Sequence, residues 1–359
     1  MACFCSSSMY ADHCEPSEVL REALARQVAT RMIDIISRVR CLLKSWLLGP
    51  VGFRQHYNIG LRDPQAEVSV WLHGPDGPQD VTHQHVIACA HPLTIGIGLD
   101  RIAVTEQKRL SLQFRERNGK HEFLGEIGLR LRDRIAVGSG QLYLFEVRDS
   151  RNYCLRSVQR WRYGLRCEYV RWSSGRRGNS SQIRPTRLET RSISTFYICP
   201  RPIVLVSVMN GKVCNIFPMD LIGPIGVEAF CLALHNTSTA LPLLERSRTI
   251  ALSSIPIEQR SLVYALGKNH SSPPFSKDQI PFDTVTSSRF GLPVPRFSSR
   301  VREMQVVTIR PLGSHKLFVC NTLEDRAYAS GLQLFVIHGI YQFWRQRAFR
   351  DRVEPSNRE

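Results

Sequence analysis

An apolar run, Phe230-Cys-Leu-Ala-Leu, ends abruptly in His235, Asn236, Thr237, Ser238 and Thr239. An imidazole, an amide and three hydroxyls at one strand end can donate to a phosphate. Thr237, Ser238 and Thr239 also stand where a short helix is expected to open, and a helix N-terminus favours an anion. Arg246 and Arg248 follow closely enough to add charge. Upstream, a second apolar strand and an Asn210-Gly211 turn lead into Asn215, Ile216, Phe217, Pro218 and Met219. Pro218 stiffens that stretch, and stiff backbone holds donors and acceptors where the polar edge of a flat ring could meet them. The chemistry suggested is recognition of a phosphorylated ligand.

Other chemistries leave weaker traces. Cys3, Cys5, His13 and Cys14 match no zinc spacing, and His83 and His85 share a strand face without a third ligand, so no metal site is expected. His73, His83, His85 and His91 read as structural or solvent-facing. No phosphate-cradling Gly-rich loop ending in Lys-Ser or Lys-Thr occurs, and no Ser-His-Asp set can be assigned without geometry.

The elements that must position these residues fall into blocks. Residues 1–50 read as a tail and a helix, with apolar residues at Leu20, Leu24, Val28, Met32, Ile36, Val39, Leu43 and Trp46. That spacing makes one helical face, expected to pack on its own protein rather than on a membrane surface. Residues 51–150 read as a small β domain. Residues 151–198 read as a basic helix and linker, with 173–190 polar and 194–208 strand-like. Residues 199–345 alternate as a second, larger β domain, and 346–359 form a charged tail.

Composition sets outer limits. The chain has 359 residues, 43% of them hydrophobic, which suffices for packed cores. Its net charge of +17 favours acidic partners: phosphorylated ligands, nucleic acid or anionic lipid. The eleven cysteines are scattered, odd in number and without a Cys-x-x-Cys pair, which reads as a reduced, cytoplasmic setting. No apolar run is long enough to span a bilayer, and Asp12, Glu15 and Glu18 interrupt any secretory leader.

Four stretches in order resemble the flavin-reductase-like family of FMN-binding split barrels. They are Arg201-Pro-Ile-Val-Leu-Val-Ser-Val-Met-Asn-Gly-Lys-Val-Cys-Asn-Ile-Phe-Pro, Leu232-Ala-Leu-His-Asn-Thr-Ser-Thr, Arg248-Thr-Ile-Ala-Leu-Ser-Ser-Ile-Pro and Gly313-Ser-His-Lys-Leu-Phe-Val-Cys. The resemblance implies a mainly β fold with flanking helices, a split β-barrel, preceded by a smaller β domain. It implies FMN as cofactor, with hydride arriving from NADH or NADPH. The ring would lie on 215–219 and the phosphate on 235–239. Ser253 and Ser254 occupy the strand where the family often has an Asn touching the flavin. His315 would serve catalysis near the nicotinamide, although Ser314 replaces the family's Asp. His338, Gly339 and Tyr341 would line the same cleft.

Split barrels of this family pair, with flavin near the pair interface. A homodimer would supply that interface, and so would an intrachain pseudo-dimer. The spans 80–99 and 215–234 share a rhythm of strand, turn and strand. Asn118-Gly-Lys-His parallels Leu312-Gly-Ser-His, which would set His121 opposite His315. The β domain at 51–150 therefore reads as a degenerate barrel copy. Three functions are weighed: an FMN-binding oxidoreductase, a flavin-binding module without turnover, and a nucleic-acid binder resting on the basic aromatic stretch at 151–191. The last ranks lowest, because no base-reading module is recognisable.

Overall fold

The computed structural model describes residues 51–99, 110–138, 140–176 and 185–353, with scattered positions between 27 and 49. The chain is mainly β. Strand β1 (His56–Leu61) precedes a first run: β2 (Val68–Gly74), β3 (Gly77–Asp80), β4 (His85–Ala90), β5 (Leu93–Leu99), β6 (Leu110–Glu116), β7 (Phe123–Val137) and β8 (Gly140–Asn152). Helices α1 (Ser157–Arg176) and α2 (Arg187–Phe196) follow. The second run holds β9 (Arg201–Pro202), β10 (Val204–Asn210), β11 (Val213–Met219), β12 (Ile222–Pro224), β13 (Ala229–His235), α3 (Leu241–Ser247), β14 (Thr249–Ser254) and α4 (Arg260–Ala265). Short strands β15 (Phe275–Ser276), β16 (Thr284–Thr286) and β17 (Pro293–Pro295) lead to β18 (Arg300–Leu312), β19 (His315–Ala327), β20 (Gln333–His338) and α5 (Gly339–Val353).

The first sheet runs β3-β2-β6-β7-β8-β5-β4, and the second runs β12-β13-β19-β18-β14-β10-β11-β15. Every pairing is antiparallel. Each is dominated by a long hairpin, β7–β8 or β18–β19, whose two-residue turn starts with a glycine at positive φ, Gly138 at 55° and Gly313 at 51°. Glycine meets that backbone without the Cβ clash other residues suffer. Bulges bend both hairpins, so each can curl across its sheet. The last strand returns to the beginning of the chain, because β20 pairs with β1 on one edge and β9 on the other.

Three apolar clusters hold these parts. One joins the first sheet to α2, β20 and α5 through Phe114, Phe145, Phe196, Phe335 and Tyr341. A second fills the second sheet around Val206, Phe217, Leu252 and Phe318. The third lies between the sheets, with Val86, Leu142 and Leu144 against Cys231, Leu317 and Val319. At about 25 cal/mol per Å² of apolar surface removed from water, such a seam is a principal tie between the sheets.

Several expectations are corrected. Residues 187–196 are helical, not linker and strand. The cause is a capping box: the Thr186 hydroxyl accepts from Glu189 N–H, and the Glu189 carboxylate accepts from Thr186 N–H. Among the described helical positions of the N-terminal stripe, Met32, Val39, Leu43 and Trp46 are exposed rather than packed. Phe53 and Phe343 already close the core beside them with an edge-to-face contact, and Arg162 lies over the Trp46 ring. Leu20, Leu24, Val28 and Ile36 lie outside the described residues, as do the tail cysteines. Finally, His121 is not the counterpart of His315. It sits in the β6–β7 turn, whereas the turn matching Gly313 is at Gly138, because shared Gly and His residues mark two different turns.

Candidate functional site

Most of the residues singled out from the sequence reach three separate places. The first is the turn of β18–β19. Strands β13 and β19 pair His235 directly with His315, and the rings meet edge to face at 5.1 Å. The Ser314 hydroxyl lies 2.8 Å from His315 Nδ1, and the Thr237 hydroxyl 2.8 Å from His235 Nδ1. Asn236 donates its side chain to Gly313 O and its N–H to Ser314 O. The first sheet closes this corner: Ser314 N–H donates to His91 O, and Cys89 Sγ to Leu312 O. Burial, with His235 and His91 nearby, pushes His315 down to about 4. The imidazole is therefore neutral at physiological pH and serves as a hydrogen-bonding group, not a cation.

The second place is the outer edge of β11. Asn215 donates to Asn269 O, and Asn269 donates back to Ile216 O. His270 Nε2 lies 2.7 Å from Pro218 O, with its ring 4.8 Å from that of Phe217. The same segment binds the other expected wall, because Thr239 donates its N–H to His270 O and its hydroxyl to Ser272 O. The two walls are thus bridged by residues 269–272, which no sequence signal marked.

This arrangement does not fit a phosphate at 235–239. The N–H groups of Asn236, Thr237, Ser238 and Thr239 all go to partners within the chain. Helix α3 opens only at Leu241 and has no side-chain cap, so Thr237–Thr239 form a turn rather than a free helix start. The Asn215 Oδ1 and Ser238 Oγ atoms are buried without a partner among the described residues. They are the polar capacity these walls retain. Ser253 Oγ is likewise buried and unpartnered among the described residues, on β14 beside β10.

The third place is a cleft of about 360 Å³ between the two sheets. It contains Ser254, and its walls carry Arg201, Arg300, Arg302, Phe230 and His83. Arg201 is 5% exposed; one nitrogen donates to Ile222 O at 2.7 Å, while its Nε is buried without a partner. Arg302 lies over the Phe230 ring at 5.5 Å and pairs with Asp63 and Asp325. Arg300 grips Asp325 with two nitrogens, both at 2.6 Å. Burial pushes the Asp325 carboxyl up, but the Arg300 hydrogen bond and the Arg302 and Arg300 charges outweigh it and hold it below the ordinary value. The volume lies within the range of small-molecule sites, and the walls combine cations with apolar and aromatic surface. A signal for it existed in the sequence: Arg300 and Arg302 alternate with Val301 and Glu303, which puts two guanidinium groups on one strand face.

His338 and Tyr341 join none of these places. His338 packs edge to face on His56 and Tyr163, and burial pushes it down to about 3. Tyr341 donates to Glu67 and stacks on Trp344. His85 is buried against Val81 O and is also lowered to about 3 by burial. A further cavity of about 550 Å³ separates α1 from α2; it holds none of the residues read as flavin contacts, but Tyr153, Arg160, Arg171 and Arg187 of the basic aromatic stretch line it. The described cysteines are all unpaired, and no described helix is long and apolar enough to cross a membrane.

No family model and no curated protein matches the sequence. Solved structures do match. The chain is similar in fold to an FMN-binding protein from Thermus thermophilus, at 22% identity over 38% of this chain and 81% of that one, TM-score 0.33. It is similar to an NADH:FAD oxidoreductase of Streptomyces globisporus, at 15% identity over 45% and 94%, TM-score 0.39. A third is the styrene monooxygenase flavin reductase of Pseudomonas putida, at 13% identity over 41% and 93%, TM-score 0.36.

Proposed function

We propose that this chain is an FMN-binding oxidoreductase of the flavin-reductase-like type, and that FMN occupies the cleft between the two sheets. The observation that carries the reading is the pairing of the unsatisfied Arg201 Nε with the Arg302–Phe230 stack in one cavity. A phosphate needs cationic donors, and Arg201, Arg300 and Arg302 line the cleft together. A flat ring needs an aromatic or apolar wall, and Phe230 offers one. Ser254 adds a hydroxyl from the strand where the resemblance expects a flavin contact. Asp63 and Asp325 keep Arg300 and Arg302 in place, so the cleft is built before the ligand arrives. Bound flavin would accept hydride from NADH or NADPH, a chemistry that the cofactors themselves supply.

A second reading, flavin binding without turnover, is favoured by the placement of His315. That residue stands at the turn of the long hairpin, and the cleft stands at its base. One measurement separates the two. Purified chain with FMN should show the shifted absorption of a bound flavin, and adding NADH or NADPH anaerobically should bleach it. A bound flavin that does not bleach selects the second reading. Failure to bind FMN at micromolar concentration rejects both.

A further inference from the structure

The two sheets share one strand order. Without β15, the second reads β12-β13-β19-β18-β14-β10-β11, and the first, from its other end, reads β4-β5-β8-β7-β6-β2-β3. Each strand of one stands at the place of its counterpart in chain order. The registers agree as well. Gly74 pairs with Gly77 and Asn210 with Val213 across equal turns, and Val137 with Gly140 as Leu312 with His315.

Counting from those turns, Leu142 corresponds to Leu317, Leu144 to Val319 and Val137 to Leu312. All six lie in the one apolar cluster between the sheets. Val86 faces Gly223, which is its own counterpart: a Cβ built on Gly223 would lie 3.7 Å from the Val86 Cβ. Contacts in which a position meets its equivalent are the mark of an isologous, two-fold interface.

A two-fold seam generates two clefts, and here they have diverged. In the open cleft stand Val204, Leu252, Ser254, Arg302 and Arg201. By the pairings nearest the cleft, their counterparts are Val68, Phe114, Glu116, Gly125 and Gln65; β7 runs two residues longer than β18 between this point and the hairpin turn. The end of α2 fills that second place. The Phe196 ring lies 5.2 Å from His85, which itself packs on Phe114. Thr195 and Ile198 lie so close over Gly125 that a Cβ there would clash with both. The cationic position, Arg302, has become the glycine that makes room.

We infer that the chain is an internal pair of split barrels in which α2 and the residues after it plug one of two symmetry-related ligand clefts. The other cleft takes a single flat, anion-bearing ligand per chain. The first half of the chain supplies what a partner subunit would, including the Asp63 between β1 and β2 that holds Arg302. The ligand class rests on the flavin reading; the pairing and the plug do not.

The test therefore has one arm with flavin and two without. Sedimentation of the full chain should give the mass of one chain, and FMN titration should saturate at one per chain. A stable dimer, or a stoichiometry of two FMN per chain or one per two chains, overturns the inference. Phe196→Ala should open an apolar hole at the plugged position, detected as indole binding at least tenfold tighter than to the unaltered chain. A folded Phe196→Ala chain with no gain in indole binding shows that Phe196 fills no cleft. Should that variant fail to fold, the mass and the stoichiometry still decide. An unaltered chain that binds no FMN, has the mass of one chain and gains indole binding on Phe196→Ala rejects the flavin reading alone.

Discussion

Gly98 offers the sharpest test of how the two sheets are locked. It lies buried on β5, and its N–H donates to Gln84 O. A Cβ there would fall on the backbone of Ile225, meeting its oxygen, carbonyl carbon and Cα. Backbone cannot rotate aside as a side-chain tip can, and Ile225 is pinned by its N–H bond to Ala229 O at 2.8 Å. Gly98→Ala must therefore push the β12–β13 turn away from the first sheet. Overpacking of this kind costs about 1–3 kcal/mol. The reduced freedom of the unfolded chain returns about 0.4–1 kcal/mol. The expected net loss is about 1–2 kcal/mol from these two ranges, read from urea unfolding followed by tryptophan fluorescence. Val227, on the displaced turn, lines the cleft, so FMN affinity should fall in the same variant. An unchanged or higher stability would show that the seam gives way freely, and the reasoning would fail.

Three further outcomes are expected. His85, His315 and His338 have folded values near 3, 4 and 3, below the ordinary 6.5. The unfolded chain takes up their protons near pH 6.5 and the folded chain does not, so stability is complete above 6.5 and is lost as pH falls toward 4. Each contributes a slope of up to about 1.4 kcal/mol per pH unit; urea midpoints at pH 7.5 and 5.5 should differ clearly, and equal midpoints would contradict the burial argument. Glu303, 2% exposed, accepts from the Ser287 and Ser288 hydroxyls and from the Arg289 and Phe290 N–H groups. Glu303→Gln turns one acceptor into a donor facing donors and should cost about 2–4 kcal/mol, with residues 287–292 losing hydrogen-exchange protection first. Gly164 lies exposed within α1 with open space around its Cα, so Gly164→Ala should stabilise by about 0.5–1 kcal/mol; a loss in the same urea assay would mean that α1 packs differently.

The strands of both sheets were legible because alternation and apolar runs report the pleat directly. Leu110-Ser-Leu-Gln-Phe needed no tertiary information to read as β6. Helix α2 was hidden by composition: Arg, Ser and Thr dominate it, yet Thr186 and Glu189 were a readable capping pair. The candidate site was less legible. Hydroxyl-rich residues at 235–239 have the types that bind phosphate, but their N–H groups were already spent on His235, Ser314 and His270. Residue type reports capacity, and only pairing reports what remains unspent. Arg201 carries the opposite lesson. It opens the first of the four flavin-reductase-like stretches, and its importance comes from lining the cleft between the sheets, which no spacing encodes.

The long hairpin β18–β19 also sets a limit on mechanism. His315 opens β19 at the turn, and Asp325 stands ten residues later, at the base, beside Arg300 and Arg302. At about 3.3 Å per residue that is roughly 33 Å of bulged strand, whereas Phe230 of the cleft stands five residues from His235 on β13, roughly 17 Å from the His235–His315 pair. His315 is not among the residues that line the cleft, so a flavin held there by Arg201 and Arg302 does not depend on His315 for binding. His315→Ala discriminates: if the cleft holds the flavin, FMN affinity and any bleaching rate should stay within about twofold, since twofold is about 0.4 kcal/mol. Arg302→Gly, which installs the residue of the plugged counterpart, should weaken FMN at least tenfold. The reverse pattern, with His315 essential and Arg302 dispensable, would move the flavin to the turn and leave the cleft to another anion.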